Sequence, residues 1–74
     1  MIVRRVSCRK LRETREAVGM SSVQLAEQAG VDQSAISNYE KGFKIPNANT
    51  LANIAGALGV PMDDLMEPVE GDSI

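Results

Sequence analysis

The sequence predicts an all-α fold, a compact domain of five short helices around one small core. Residues that suit the start of a helix alternate with glycines that suit its end, and one segment carries apolar residues at helical spacing. No segment alternates apolar and polar residues for long enough to indicate a strand. With 74 residues, the chain is long enough for one domain, near the lower limit of what folds without disulfides or metals.

Four of the helices are delimited by capping residues at both ends. The candidate N-caps, whose side-chain oxygens accept a hydrogen bond from the first turn, are Ser7, Ser21, Asp32 and Asn47. The glycines placed to end the helices are Gly19, Gly30, Gly42 and Gly59. The predicted helices therefore span residues 8–18, 22–29, 33–41 and 48–58.

The remaining segments are a short fifth helix and two termini. Proline suits the first helical position, so the fifth helix is predicted to begin at Pro61 and to include Leu65 and Met66, before Pro68 ends it. The resulting organisation is an N-terminal arm at 1–7, a folded domain at 8–66 and an acidic, solvated tail at 67–74.

The net charge of −2 conceals an uneven distribution. All eight lysines and arginines lie between Arg4 and Lys44, and residues 1–48 carry five acidic residues, for a net charge of +3. Residues 49–74 carry five acidic residues and no basic one. A basic face is therefore compatible with the acidic total, and a polyanion is a permitted partner.

Composition also argues against several functions. The chain has no histidine and only Cys8, so an activated nucleophile, a structural zinc site and an intrachain disulfide are not expected. We expect no enzymatic activity, cofactor or metal. The sequence lacks a signal peptide and an apolar run long enough to span a bilayer, so a soluble, cytoplasmic protein is expected. Tyr39 and Phe43 are the only aromatic residues, too few to favour base stacking on single strands.

The second and third predicted helices are joined by Gly30-Val31-Asp32 alone. A three-residue connection containing glycine is typical of a helix-turn-helix. Ala26 supplies the small residue where the helices meet, and Ile36 supplies an apolar seal. An ordinary corner between two helices is the alternative, but this spacing with N-caps on both sides favours the DNA-binding form.

The order of these features is similar to that of a known family. The segments that carry the similarity are LRETREAVGMSSVQLAEQAGVDQSAISNYEKG and FKIPNANTLANIAGALGVPMDDLM. In them, over about residues 8–66, the chain resembles the lambda-repressor-like Cro/repressor (XRE) helix-turn-helix domains. The resemblance implies sequence-specific binding of double-stranded operator DNA, usually as a homodimer, with the third helix in the major groove. Such a protein would be a small prokaryotic or phage transcriptional regulator associated with the nucleoid.

The third helix has a buried side and a polar side when it is drawn at 100° per residue. Ile36, Tyr39 and Ala35 define the buried side. The candidate base-contacting residues on the other side are Gln33, Ser34, Ser37 and Asn38. Glutamine and asparagine can pair bidentately with adenine, whereas serine is less specific. Simple solvation is the alternative role for each.

Phosphate contacts are implied by the resemblance at the start of the second helix and beyond the third. The predicted residues there are Ser22, Gln24, Lys41 and Lys44. Arg9, with Arg4 and Arg5 as further candidates, could supply phosphate contacts from the N-terminal segment. Gln24 could instead complete a capping box with Ser21, and the arginines could form a solvated face. Phe43 departs from the family pattern, which usually has a polar or basic residue there.

Arg15 and Glu40 match the positions of an ion pair between the first and third helices of related repressors, which would set the tilt of the third helix. Dimerisation is expected through the fifth helix, using Val60, Met62, Leu65 and Met66. The main alternative function is a protein-interaction module, such as an antitoxin, with a toxin or polymerase as partner. The sequence distinguishes neither these contexts nor repression from activation, and it does not specify an operator.

Overall fold

The computed structural model describes residues 2–70 and contains four α-helices within them. They are α1 (Cys8–Val18), α2 (Ser22–Ala29), α3 (Gln33–Lys41) and α4 (Ala48–Leu58). The four helices predicted from capping residues are confirmed with these bounds. None of the helices in residues 2–70 is long and apolar enough to cross a membrane.

Side chains and glycines determine where these helices begin and end. The side chains of Ser7, Ser21 and Asn47 each accept a hydrogen bond from the backbone N–H three residues later, whereas Asp32 makes no such bond. Gly42 ends α3 in the left-handed conformation, at φ +81°. A residue in this conformation ends the helix, and glycine adopts it without the strain that a Cβ would cause.

The prediction of a fifth α-helix is wrong. Met62–Leu65 forms a single turn of 3-10 helix, with the Asp64 N–H donating to the Pro61 carbonyl at 3.0 Å. The next residue, Met66, is extended, with φ −121° and ψ 156°. The turn stops there because Met66 begins a strand.

Two strands correct the prediction of an all-helical fold. β1 (Ile2–Val6) and β2 (Met66–Glu70) form an antiparallel ribbon, in place of most of the predicted free arm and solvated tail. Three of the five residues of β1 are β-branched, which favours extended backbone. Residues 71–74 of the predicted tail lie outside the described part of the chain.

The core draws one fully buried side chain from each helix and one from the 3-10 turn. These are Leu11, Leu25, Ile36, Ile54 and Leu65. α2 packs against both α3 and α4, and α1 packs against α3. The consequence for function is that α3 is held on its inner side by α1 and α2 while its other side stays outside the core.

Candidate nucleic-acid interface

The angle between α2 and α3 is set by a short, tightly bonded turn. Gly30 ends α2 at φ +74°, and the Val31 N–H donates to the Ala26 carbonyl at 3.0 Å. Ala26 is 3% exposed and Ile36 is fully buried, so the two helices meet through a small residue and an apolar one. The corner predicted from the sequence is therefore present with its predicted components.

The outward face of α3 is polar along its length. Gln33 and Ser34 are exposed at the N-terminus, and Lys41 is exposed at the C-terminus. Ser37 and Asn38, between them, are half-buried. Amide and hydroxyl groups of this kind can both donate and accept hydrogen bonds toward base edges.

A hydrogen bond joins the starts of the two helices. The side-chain nitrogen of Gln33 donates to the hydroxyl of Ser22 at 3.1 Å. A predicted base contact and a predicted phosphate contact are thus adjacent, a pairing that spacing along the sequence did not reveal. Gln24 completes the capping box: its amide oxygen accepts from the Ser21 N–H at 2.9 Å, and its own N–H donates to the Ser21 hydroxyl at 3.1 Å.

Arg15 on α1 and Glu40 on α3 form a bidentate ion pair. The Arg15 Nε and Nη2 groups donate to the two Glu40 oxygens at 2.6 and 3.1 Å, and Nη1 donates to the Met20 carbonyl at 2.8 Å. The side chains are only 14% and 10% exposed. The hydrogen bond to Glu40 raises the pKa of Arg15 above its ordinary value despite burial. The pair ties the polar helix to α1.

The predicted cations lie on exposed surface near the end of α3. Lys41, Lys44 and Arg9 are exposed, and Arg9 and Lys44 line one shallow groove with Arg5. The Arg5 guanidinium lies 2.9 Å from the Glu67 carboxylate, which partly offsets its charge. The hydrogen bond from Arg5 lowers the pKa of Glu67. The side chain of Arg4 lies outside the described part of the chain.

Two apolar side chains flank Lys44. Phe43 is 75% exposed and Ile45 is 77% exposed, the largest exposures among the large apolar residues described. The sequence had marked Phe43 as unusual but not Ile45. Their positions in the loop after α3 place an apolar patch beside the cationic groove.

The predicted dimer surface needs correction at one residue. Leu65 is fully buried in the core of a single chain, so it has no surface to offer a partner. Val60, Met62 and Met66 are half-buried and pack against that core. Their role between two copies stays a prediction.

The buried corner, the polar outer face of α3 and the cations beyond it define a helix-turn-helix domain. The model of the helix-turn-helix family matches residues 11–65, and the chain belongs to this family.

The relatives that the chain resembles are named as regulators of transcription. The chain is 40% identical over 67 residues to the protein MJ1164 of Methanocaldococcus jannaschii, whose name places it among HTH-type transcriptional regulatory proteins; the match covers 86% of this chain and 21% of that protein. It is 30% identical to the transcriptional repressor RstR of the cryptic phage CTXphi in Vibrio cholerae, covering 76% of this chain and 50% of the repressor. The chain thus spans half or less of the length of these two relatives.

Solved structures show the same fold. The restriction-modification controller protein C.AhdI from Aeromonas hydrophila has a TM-score of 0.77 and 31% identity, covering 78% of this chain and 88% of that one. SinR, in complex with DNA, has a TM-score of 0.75 and 28% identity, covering 80% and 98%. The P22 c2 repressor, in complex with a synthetic operator, has a TM-score of 0.74 and 28% identity, covering 78% and 88%.

Proposed function

We propose that this chain binds double-stranded operator DNA sequence-specifically and regulates transcription, with α3 in the major groove. The observation that carries the proposal is the exposed polar N-terminus of α3, bonded through Gln33 to Ser22 and held in orientation by the buried pair of Arg15 and Glu40. The names of the relatives and the DNA-bound structures of SinR and the P22 c2 repressor support it. The place of action would be the cytoplasm, at the nucleoid.

In this proposal the residues of α3 contact bases. Gln33 is the principal base contact because it is exposed at the helix end that enters the groove first. Ser34 lies beside it, and Ser37 and Asn38 contact bases further along with the parts of their side chains that stay accessible.

Phosphates are bound on both sides of these base contacts. Ser22 and Gln24 act at the N-terminus of α2, where backbone N–H groups and the helix dipole favour an anion. Lys41, Lys44 and the α1 residue Arg9 act near the C-terminal end of α3, and all three side chains are exposed. The active form is a homodimer whose two copies of α3 lie about 34 Å apart, one turn of DNA.

A second candidate function is binding to another protein, such as a toxin or a polymerase. The observation that favours it is the exposed apolar pair, Phe43 and Ile45. Exposed apolar patches bordered by polar residues are typical of protein interfaces. The two functions are compatible within a regulator, but only the first requires affinity for duplex DNA.

The experiment that tests the proposal measures binding to random duplex DNA in a gel-shift series of increasing salt. Binding at low salt that falls linearly on a logarithmic salt scale is expected, because phosphate contacts release counterions. The operator itself is then selected from a random DNA pool. A chain that shows no affinity for duplex DNA even at low salt would contradict the proposal and favour the protein-binding function.

Two variants separate the proposed roles. Gln33→Ala should reduce discrimination between operator and random DNA by about 1–3 kcal/mol, while Lys44→Ala should weaken binding to both and reduce the salt slope by about 1. Gln28→Ala, which removes an exposed amide on α2 outside the proposed contacts, is the control and should leave both quantities unchanged. Equal behaviour of all three variants would remove Gln33 and Lys44 from the interface.

A further inference from the structure

The ribbon formed by β1 and β2 lies at the margin of the helical core. β1 contacts β2 far more extensively than it contacts any helix. An isolated two-stranded antiparallel ribbon is marginally stable in water, and a third strand or a covering helix is what usually stabilises one. The free backbone groups on the outer edges of this ribbon therefore determine which strand could pair with it.

The phase of the hydrogen-bond ladder shows which backbone groups point outward. The Ser7 N–H donates to the Leu65 carbonyl at 2.9 Å, which continues the register of the ribbon by one pair. Bonded and non-bonded pairs alternate in an antiparallel ladder, so Arg5 and Glu67 form a bonded pair. Arg4, the neighbour of Arg5, belongs to a non-bonded pair, and its N–H and carbonyl face the outer edge of β1.

The outer edge of β2 is closed. Pro68 lies opposite Arg4, so it occupies an outward-facing position and has no N–H to donate there. At the adjacent outward position, the Met66 N–H donates to the Asp63 carbonyl, and the Met66 carbonyl accepts from the Lys10 ammonium at 2.8 Å. A strand approaching this edge finds no regular row of donors, because the Met66 N–H is already bonded and Pro68 has none.

We propose that a second copy of this chain pairs along the outer edge of β1, which makes a four-stranded antiparallel sheet in the order β2–β1–β1–β2. A second copy is the partner that fits, because the outer edge of β1 has free backbone donors and acceptors at Arg4 and the outer edge of β2 has no regular row of donors. Two copies that meet along β1 leave only closed β2 edges outside, so the assembly stops at a two-fold dimer. This interface differs from the predicted surface at Val60, Met62 and Met66, and it does not depend on the proposed DNA binding.

The sequence of β1 permits a two-fold register that avoids repulsion. With Val3 on the axis, Ile2 of one copy lies opposite Arg4 of the other, so no arginine lies directly opposite an arginine. Positions 2 and 4 both face the outer edge, so these pairs are the ones that exchange backbone hydrogen bonds.

Sedimentation equilibrium without DNA, over a wide range of protein concentration, tests the dimer with a matched pair of variants. Arg4→Pro removes the outward N–H without removing a donor from the ribbon, whereas Arg4→Ala removes the side chain and keeps the N–H. The wild type and Arg4→Ala should dimerise, and Arg4→Pro should remain a monomer with unchanged helical circular dichroism. A monomeric wild type, or a dimeric Arg4→Pro chain, would overturn the proposal.

Amide exchange of the wild type provides a second readout that does not depend on whether the proline variant folds. The Arg4 amide should become protected as the concentration rises through the dimerisation range, because the second copy accepts its hydrogen bond. If dimerisation occurs with the Arg4 amide unprotected, the interface lies elsewhere and the proposal is wrong.

Discussion

At the scale of single residues, two ion pairs of the same chemistry differ in their surroundings. Arg15 and Glu40 are largely buried and bonded through both carboxylate oxygens, whereas Arg12 and Glu16 on the surface of α1 are 3.4 Å apart with side chains 64% and 55% exposed. Removing one partner of a buried pair leaves the other charge without compensation, whereas an exposed partner returns to water. Burial decides the energetic consequence.

We therefore predict that Glu40→Ala lowers the free energy of unfolding by about 3 kcal/mol, because the Arg15 guanidinium stays buried without its carboxylate. The matched change Glu16→Ala should cost about 0.5 kcal/mol or less. Urea unfolding followed by circular dichroism measures both. Equal losses for the two variants would show that the pair between α1 and α3 is energetically no different from a surface pair.

The role of single residues could be predicted from the sequence only where the residue type restricts the partner. The polar arc of α3 followed from helical periodicity, and its ends, Gln33 and Lys41, are exposed in the structure. The bond between Gln33 and Ser22 could not be predicted, because it depends on the angle at which α2 and α3 meet. The burial of Leu65 could not be predicted, because an apolar residue in a short terminal segment carries no sign of which side it faces.

At the scale of elements, local signals account for the success of the helix predictions. Every boundary except the start of α3, where Asp32 makes no capping bond, is set by a cap within one turn of the chain, so a short window of sequence contains the determinants. The strands of the ribbon pair residues sixty or more positions apart, from Val6 with Met66 to Ile2 with Glu70, and no turn sequence indicates the pairing. The sequence does not separate a 3-10 turn from an α-helix in this segment, because Pro61 suits the start of both structures.

The caps also predict unequal effects of equivalent substitutions. Asn47→Ala should lower the free energy of unfolding by about 1 kcal/mol, because the Asn47 side chain accepts from the Thr50 N–H at 2.8 Å. Asp32→Ala should cost less, since Asp32 makes no side-chain bond to α3 and contributes only through the helix dipole. Thermal unfolding of the two variants compares them, and a larger loss for Asp32→Ala would contradict this assignment.

At the scale of the whole molecule, the uneven charge has a structural counterpart. The basic N-terminal half supplies β1 and α3, while the acidic C-terminal part supplies β2, so the ribbon joins segments of opposite charge. The ion pair between Arg5 of β1 and Glu67 of β2 is a direct contact between these oppositely charged segments. At least one of the C-terminal acidic residues, Glu67, is thus paired within the fold. The acidic total is therefore compatible with a basic surface at the end of α3.

This arrangement predicts how stability responds to acid. Arg5 lowers the pKa of Glu67 in the folded chain, so the pair contributes fully above the ordinary carboxyl pKa and its contribution is lost as the pH falls through the folded pKa. The chain has no histidine, so carboxylates dominate the change in stability between neutral and acidic pH. Glu67→Gln should be less stable than the wild type at neutral pH and should lose less stability on acidification.

Urea unfolding at a series of pH values checks this prediction, with Glu13→Gln on the exposed surface of α1 as the control. The control should follow the wild-type curve, while the curve of Glu67→Gln should converge with the wild type at acidic pH. Because unfolding of the ribbon could precede that of the helices, the amide resonances of Arg5 and Glu67 should be followed in the same titration. Parallel curves for the wild type and Glu67→Gln at all pH values would mean that the ion pair does not stabilise the ribbon. The pairing of β1 with β2 would then depend on backbone hydrogen bonds alone.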